Sequence, residues 1–187
     1  MLPIIVGSAL LGFAVGRISK KDRARAAAAA TRLPLAGVDI DGWEKFVSKM
    51  AVADKKQVGR KGKLGAFQMD ARRLADVGAM VKAWKGPRGA EQGAWVGQWR
   101  PGLTEASFLG SMPLQYAVFV RSMRAAAPKV SPLVGIAVDG KVATLSGLLG
   151  VSHVAGERGV EGFMRDPAVR TRFPSTAEVF SRTNGIF

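Results

Sequence analysis

The chain has 187 residues, of which 48% are apolar, and its 28 Lys and Arg side chains exceed its 14 Asp and Glu to give a formal net charge of +14. This size suits one ordinary domain with a tail, and the apolar content is high enough for a sizeable core, which excludes a disordered basic tail. The absence of cysteine excludes disulfide scaffolds, thiolate zinc sites and thiol nucleophiles, and a single histidine excludes a multi-histidine metal site. The charge predicts a polyanionic partner: nucleic acid, anionic lipid or an acidic cell-wall polymer.

The N-terminal segment MLPIIVGSALLGFAVG has no charged side chain before Arg17. Sixteen helical residues span about 24 Å, whereas the hydrocarbon core of a bilayer is roughly 30 Å thick. Ser8, Gly12 and Gly16 are spaced by four, which allows close helix–helix approach in lipid or in a protein bundle. We therefore expect residues 1–17 to form an apolar helix that serves as a membrane anchor or an assembly helix.

The next segment, residues 18–36, is basic and rich in alanine, which predicts a helical stalk or linker. Pro34 and Gly37 interrupt that pattern. The globular domain is accordingly expected to cover residues 37–187.

Capping residues and apolar spacing predict that this domain is mainly α-helical. Asp41, with Glu44 three residues later, is typical of a helix start. The run from Asp70 to Val81 predicts a second helix. Residues 85–104, rich in Gly and Trp, predict a loop.

Further helices are expected towards the C-terminus. Thr104 is placed to cap one helix, and Pro113 opens another, which Pro128 and Pro132 are expected to break. The apolar, Gly-punctuated segment Thr144–Gly156 predicts a buried helix in close contact with its neighbours.

Two shorter features complete the domain. The segment VGIAVDGKV, residues 134–142, is the strand candidate, with Asp139-Gly140 as its turn. A short helix is predicted over Val160–Met164, and Ser175 is positioned to cap a last helix over Thr176–Phe180.

Three segments together resemble the lysozyme-like domains of lytic transglycosylases and phage muramidases. They are Gly65–Met69 (GAFQM), Pro113–Tyr116 (PLQY) and Ser146–Gly156 (SGLLGVSHVAG). The first is similar to the family's Gly-Ala segment after the catalytic glutamate. The second is similar to a helix start with a glutamine near the active site, and the third to a small-residue helix with an Ala-His-Leu-Gly-Gly-type sequence. The resemblance covers roughly residues 40 to 187 and implies a lysozyme-like helical fold that acts on peptidoglycan without a metal or other cofactor.

The sequence departs from that family at the catalytic acid. A glutamate is needed before the Gly-Ala segment to protonate the leaving glycosidic oxygen. Asp54 is the one acid between Lys49 and Lys63, and the neighbouring cations favour its ionised form, which acts against proton donation. Glu44 is the alternative acid, although its position three residues after a helix start also suits a capping role.

The resemblance implies that several side chains bind substrate. Gln68 and Gln115 would hydrogen-bond sugar hydroxyls or else satisfy buried backbone. Trp95 and Trp99 would stack on sugar rings or act as ordinary core residues. The remaining candidates are Tyr116 and His153, of which His153 is also consistent with a hydrogen-bonded core histidine.

The segment KKQVGRKGK contains no acid and predicts a basic loop. It could bind an anionic surface or be an ordinary solvated loop. Its cations are Lys55, Lys56, Arg60, Lys61 and Lys63.

Three functions remain open on these observations. The first is a virion- or tail-associated lysozyme-like protein, or a membrane-anchored one, that cleaves or binds peptidoglycan at the bacterial envelope. The second is an inactive structural component of a phage particle or tail complex with the same fold. The third is a basic internal virion protein that contacts DNA. We expect an oligomer or a part of a larger assembly, held by a membrane or a helix bundle through residues 1–17, although the third function leaves that apolar segment unexplained.

Overall fold

The computed structural model describes residues 35–52, 54, 58–59, 62–86 and 95–187. The predictions for the apolar helix, with Ser8, Gly12 and Gly16, lie outside the described residues, as does nearly all of the stalk. No helix in the described ranges is both long enough and apolar enough to cross a membrane. Four cations of the basic loop also lie outside the description: Lys55, Lys56, Arg60 and Lys61.

The described residues confirm the expectation of a mainly helical domain, to which two small antiparallel hairpins are added. A short 3₁₀ turn, Ser131–Leu133, follows the fourth helix. In chain order the elements are α1 Ile40–Met50, α2 Ala71–Asp76, β1 Met80–Lys85, β2 Trp95–Trp99, α3 Glu105–Gly110, α4 Met112–Val130, β3 Ala137–Val138, β4 Lys141–Val142, α5 Leu145–Arg165, α6 Pro167–Arg172 and α7 Pro174–Thr183.

Helix α1 begins two residues earlier than predicted. The Asp39 carboxylate accepts a hydrogen bond from the Gly42 N–H at 2.7 Å, so Asp39 is the N-cap and the predicted start at Asp41 is wrong. Both aspartates can cap a helix, but Asp41 lies within the first turn. The buried face is the expected one, since it depends only on the spacing of Trp43, Phe46 and Met50.

The predicted helix over Asp70–Val81 is wrong in its second half. Helix α2 ends at Asp76, and two residues later Gly78 adopts a φ of +75°. The Gly78 N–H donates to the Ala75 carbonyl and the Ala79 N–H to the Leu74 carbonyl, which is the glycine-terminated helix end that stops α-helices. Strand β1 starts immediately afterwards.

The predicted loop over 85–104 is also partly wrong, because β2 pairs with β1 in an antiparallel hairpin. Gly97 lies on β2 where a side chain would collide with Met80. The close contact with Met80 requires glycine, and glycine is depleted in strands. The sequence pattern of β2 therefore resembles a loop more than a strand.

The C-terminal half follows the predictions more closely. Thr104 caps α3, Pro113 lies in the first turn of α4, and β3 and β4 form the expected pair around Asp139-Gly140. Helix α4 continues through Pro128, in contrast to the predicted break. Ser175 makes no capping bond, because α7 starts at Pro174.

Helix α5 contains both the segment Thr144–Gly156 and the segment Val160–Met164. Thr144 is its N-cap, and Gly156 interrupts the helical backbone with φ +75° and ψ 168°, so the element is kinked between the two predicted helices.

The core is an aromatic cluster around Phe119 of α4. The Phe67 ring stacks on Phe119 at 4.2 Å between centroids, and the Trp43, Phe46 and His153 rings lie 6.1, 6.2 and 5.3 Å from it. Helices α1, α4 and α5 and the segment between α1 and α2 therefore share one core.

Close contact between α5 and α7 gives the first testable prediction. A methyl group on Gly150 would lie 2.9 Å from a Val179 methyl and closer still to the Thr183 hydroxyl, whereas one on Gly162 would meet Val169 at an ordinary 3.8 Å. We expect Gly150→Ala to lower the free energy of unfolding by about 1–3 kcal/mol through overpacking. The control Gly162→Ala should instead raise it by up to about 1 kcal/mol through helix propensity. Urea denaturation of both variants measures the difference, and equal changes would contradict the close contact.

Candidate functional site

The Gly65–Met69 segment forms a tight turn after Leu64, which pairs antiparallel with both Val58 and Met69. Leu64 and Met69 exchange backbone hydrogen bonds at 2.9 and 3.0 Å, which closes the turn. Gly65 has a φ of +74°, and a side chain there would overlap the Gln115 amide, so both backbone and space require glycine. We call Gly65–Gln68 the GAFQ turn.

Gln115 holds the GAFQ turn from helix α4. It is fully buried, and its Oε1 accepts from the Ala66 N–H at 2.7 Å. Its Nε2 donates to the Phe108 and Leu109 carbonyls at 3.1 Å each. In this arrangement its amide satisfies buried backbone, which is the second of the two roles the sequence left open, and it lies beyond the reach of a ligand.

His153 holds the same turn from helix α5. Its Nε2 lies 2.6 Å from the Phe67 carbonyl oxygen, which can only accept, so Nε2 carries the proton. Burial, assisted by the nearby Arg73 guanidinium, lowers the pKa of His153 from 6.5 to about 3, and the Phe67 carbonyl opposes this only in part. The ring is therefore neutral at pH 7, with a buried, unprotonated Nδ1 that has no hydrogen-bond partner among the described residues.

Gln68 closes the turn from within. It has a φ of +48°, and its Nε2 donates to the Gly65 carbonyl at 2.9 Å. Gly59 leaves room for its Oε1, since a side chain at that position would overlap the oxygen. The residue is half-buried, so a part of it remains accessible at the surface of the turn.

The segment after helix α1 is also attached to the GAFQ turn. The Val52 N–H donates to the Ala66 carbonyl at 2.7 Å. Asp54 follows two residues later and is exposed. The structure thus connects the segment that carries the candidate acid to the same turn that Gln115 and His153 hold.

Glu44, the alternative acid, lies on α1 near Tyr116. The Trp43 indole N–H donates to the Tyr116 hydroxyl at 2.7 Å. Burial raises the pKa of Tyr116, and the nearby Glu44 carboxylate raises it further. The hydrogen bond from the Trp43 indole lowers the pKa by less than burial raises it. Tyr116 is therefore a neutral phenol that accepts a bond from the core, and Glu44 is near it and half-buried.

The two loop tryptophans belong to β2. The Trp99 ring lies 5.5 Å from that of Phe108 and is partly buried against the core. Trp95 pairs with Lys85 through its backbone at the other end of the strand. Of the cations of the basic loop, the structure describes Lys63, which is half-buried and precedes the turn by two residues.

One part of the site, Arg73, has no signal in the sequence. Arg73, from α2, donates to the Ser122 hydroxyl at 3.1 Å and to the Ser152 carbonyl at 2.7 Å, and its guanidinium lies 3.4 Å from the Glu157 carboxylate. It thereby joins α2 to α4 and α5 behind the turn. Arginine within a short amphipathic run gives no sequence signal of this kind, because its partners lie far along the chain.

Within the described ranges, no group of three or more His, Asp or Glu side chains is placed to hold a metal ion. Comparison with protein-family models, with curated proteins and with solved structures gave no match to this chain.

Proposed function

We propose that the chain is a lysozyme-like protein that binds peptidoglycan at the bacterial envelope, with the GAFQ turn as the centre of its substrate site. One observation carries this proposal: the three segments that resemble the family meet at the turn. Ala66 bonds to Gln115, 49 residues away, and Phe67 bonds to His153, 86 residues away. Each segment alone is a weak indication of the family, and their direct contact in the fold is what supports a shared site.

The turn is suited to present backbone and amide groups to a sugar. Gln115 and His153 fix its carbonyl and N–H groups from behind, so they position the turn and do not touch the ligand. Gln68 is partly accessible and Asp54 is exposed. A preorganised turn is suited to bind a sugar, and protonation of a glycosidic oxygen also requires an acid within reach of that oxygen.

The cleaving form of this function assigns the acid to Asp54. A turbidity assay with purified cell walls tests it, with Asp54→Asn as the variant and Asp41→Asn, an exposed acid of α1, as the matched control. We expect Asp54→Asn to reduce lysis at least about a hundredfold, the loss typical of a missing general acid, and Asp41→Asn to leave it unchanged. Glu44→Gln is the third arm, since loss of lysis in that variant alone would assign the acid to Glu44.

A binding function without cleavage is the second candidate, and one observation favours it. Asp54 is exposed, whereas a general acid that is protonated near neutral pH needs an apolar surround. In this form the wild-type chain sediments with cell walls but leaves their turbidity unchanged. A chain that neither binds nor clears cell walls contradicts both forms of the proposal.

A further inference from the structure

The hairpin of β1 and β2 exposes a tryptophan that the proposed site does not use. Trp84 is 44% exposed, although tryptophan is usually buried for the most part. It pairs with Val96 across the hairpin, and Lys82 pairs with Gln98. Because alternate residues of a strand share a face, these four side chains lie on one side, which we call the hairpin face.

The hairpin face combines an aromatic ring, a cation and an amide. The Lys82 ammonium lies 5.6 Å from the centroid of the Trp84 ring. Lys82 and Gln98 are exposed. The opposite side of the hairpin packs on α2 and the core through Gly97 and Met80, because an irregular register between Met80 and Lys82 places Met80 on the Gly97 side. An exposed indole beside an amide is suited to stack on a sugar ring and to hydrogen-bond its substituents.

Two arginines converge at the base of this hairpin, above the glycine that ends α2. A carbon placed on Gly78 would lie 3.5 Å from a guanidinium nitrogen of Arg100 and 3.9 Å from one of Arg121. Arg100 follows Gln98 by two residues, and its backbone N–H bonds to the Ala79 carbonyl at 3.2 Å. Arg121, on α4, donates to the Val77 carbonyl at 2.7 Å.

This arginine pair has no carboxylate partner among the residues that the structure describes. Neither guanidinium forms an ion pair within 4.0 Å. Like charges that point at one place repel each other unless an anion lies between them. Forked N–H donors on two sides of one point are well suited to a carboxylate.

We propose that the Arg100–Arg121 pair binds a stem-peptide carboxylate of peptidoglycan while Trp84 stacks on a sugar of the same strand. This inference rests on the proposed function and adds a second contact region to it. Along the chain, only helix α2, of six residues and about 9 Å, separates the GAFQ turn from Gly78. Single-stranded nucleic acid, which also stacks on aromatic rings beside cations, is the alternative ligand that the experiment below tests.

Co-sedimentation of the full-length chain with purified insoluble peptidoglycan tests the site. The variant is Arg100→Glu, since Arg100 makes no side-chain hydrogen bond to the described protein, and the matched control is Arg165→Glu, an exposed arginine at the end of α5. We expect Arg100→Glu to weaken binding at least about tenfold, as for loss of one charge-assisted contact, and Arg165→Glu to change it less than about twofold. Trp84→Ala should weaken binding as well.

Peptidoglycan whose carboxylates have been converted to amides identifies the group that the arginines bind. Amidation should weaken binding of the wild-type chain several-fold, and it should not weaken that of Arg100→Glu any further. Equal losses in Arg100→Glu and Arg165→Glu, or wild-type binding that amidation leaves unchanged, would overturn the proposal. Competition by single-stranded DNA that depends on Arg100 would also overturn it, in favour of a phosphate polymer.

The outcomes separate this site from the proposed function. A chain that binds peptidoglycan equally well with and without the Arg100 charge refutes the arginine site alone. A chain that fails to bind peptidoglycan in every form refutes the function and the site together.

Discussion

Replacing Gln115 with leucine is expected to lower the free energy of unfolding by about 2–4 kcal/mol. The substitution keeps the size of the side chain but replaces the amide by an apolar group, which removes the partner of the Ala66 N–H and of the Leu109 carbonyl. A buried backbone group without a partner costs about 1–3 kcal/mol. The Phe108 carbonyl loses less, because it also accepts from the Ser111 N–H at 3.2 Å.

Urea denaturation measures this change, and Gln98→Leu is the matched control on the exposed hairpin face. That control should stay within about 0.5 kcal/mol of the wild type, as surface substitutions usually do. Hydrogen exchange at the Ala66 amide gives a second readout and should become faster in Gln115→Leu. If both leucine variants behave alike, Gln115 does not hold the turn.

Acidification from pH 7 to pH 5 is expected to cost the folded protein about 2 kcal/mol through His153 alone. The unfolded chain takes up a proton near pH 6.5, whereas the buried ring has its pKa lowered to about 3. Between these two values the unfolded state binds more protons, so stability falls as pH falls. Below about pH 3 the folded state is protonated too, and His153 causes no further loss.

The single histidine makes this prediction simple to test, because no other imidazole titrates in that range. Urea denaturation at several pH values gives the slope, and His153→Gln should flatten it between pH 7 and pH 5. An NMR titration of the wild-type ring is the complementary measurement, and its shifts should stay constant down to about pH 4. A ring that titrates near pH 6.5 would show that the contact with Phe67 is not maintained in solution.

The positions of the long helices were predictable because the signals for them are local. Apolar residues at helical spacing placed the buried face of α1, and Thr104, Pro113 and Thr144 marked three later starts. The errors fall where a contact overrides a local signal. Asp39 and Asp41 offer the same cap chemistry, and Gly97 weakens the strand pattern of β2 because it leaves room for Met80.

The candidate site was predictable only as a set of residues. The sequence pointed to Gln68, Gln115 and His153 but could not distinguish a ligand-binding amide or imidazole from one that satisfies buried backbone. Deciding between these needs the partner of each polar atom. For Gln115 and His153 that partner lies dozens of residues away.

The sequence by itself determined the helical class, the order of the main helices, the excess of positive charge and the lack of a glutamate between Lys49 and Lys63. Periodicity, capping and composition act over a few residues, so a single chain reveals them. The tertiary structure alone decided that three distant segments meet at one turn, that His153 is neutral, and that Arg100 and Arg121 face the same point. These properties depend on burial and on contacts between groups far apart in sequence, which no local pattern encodes.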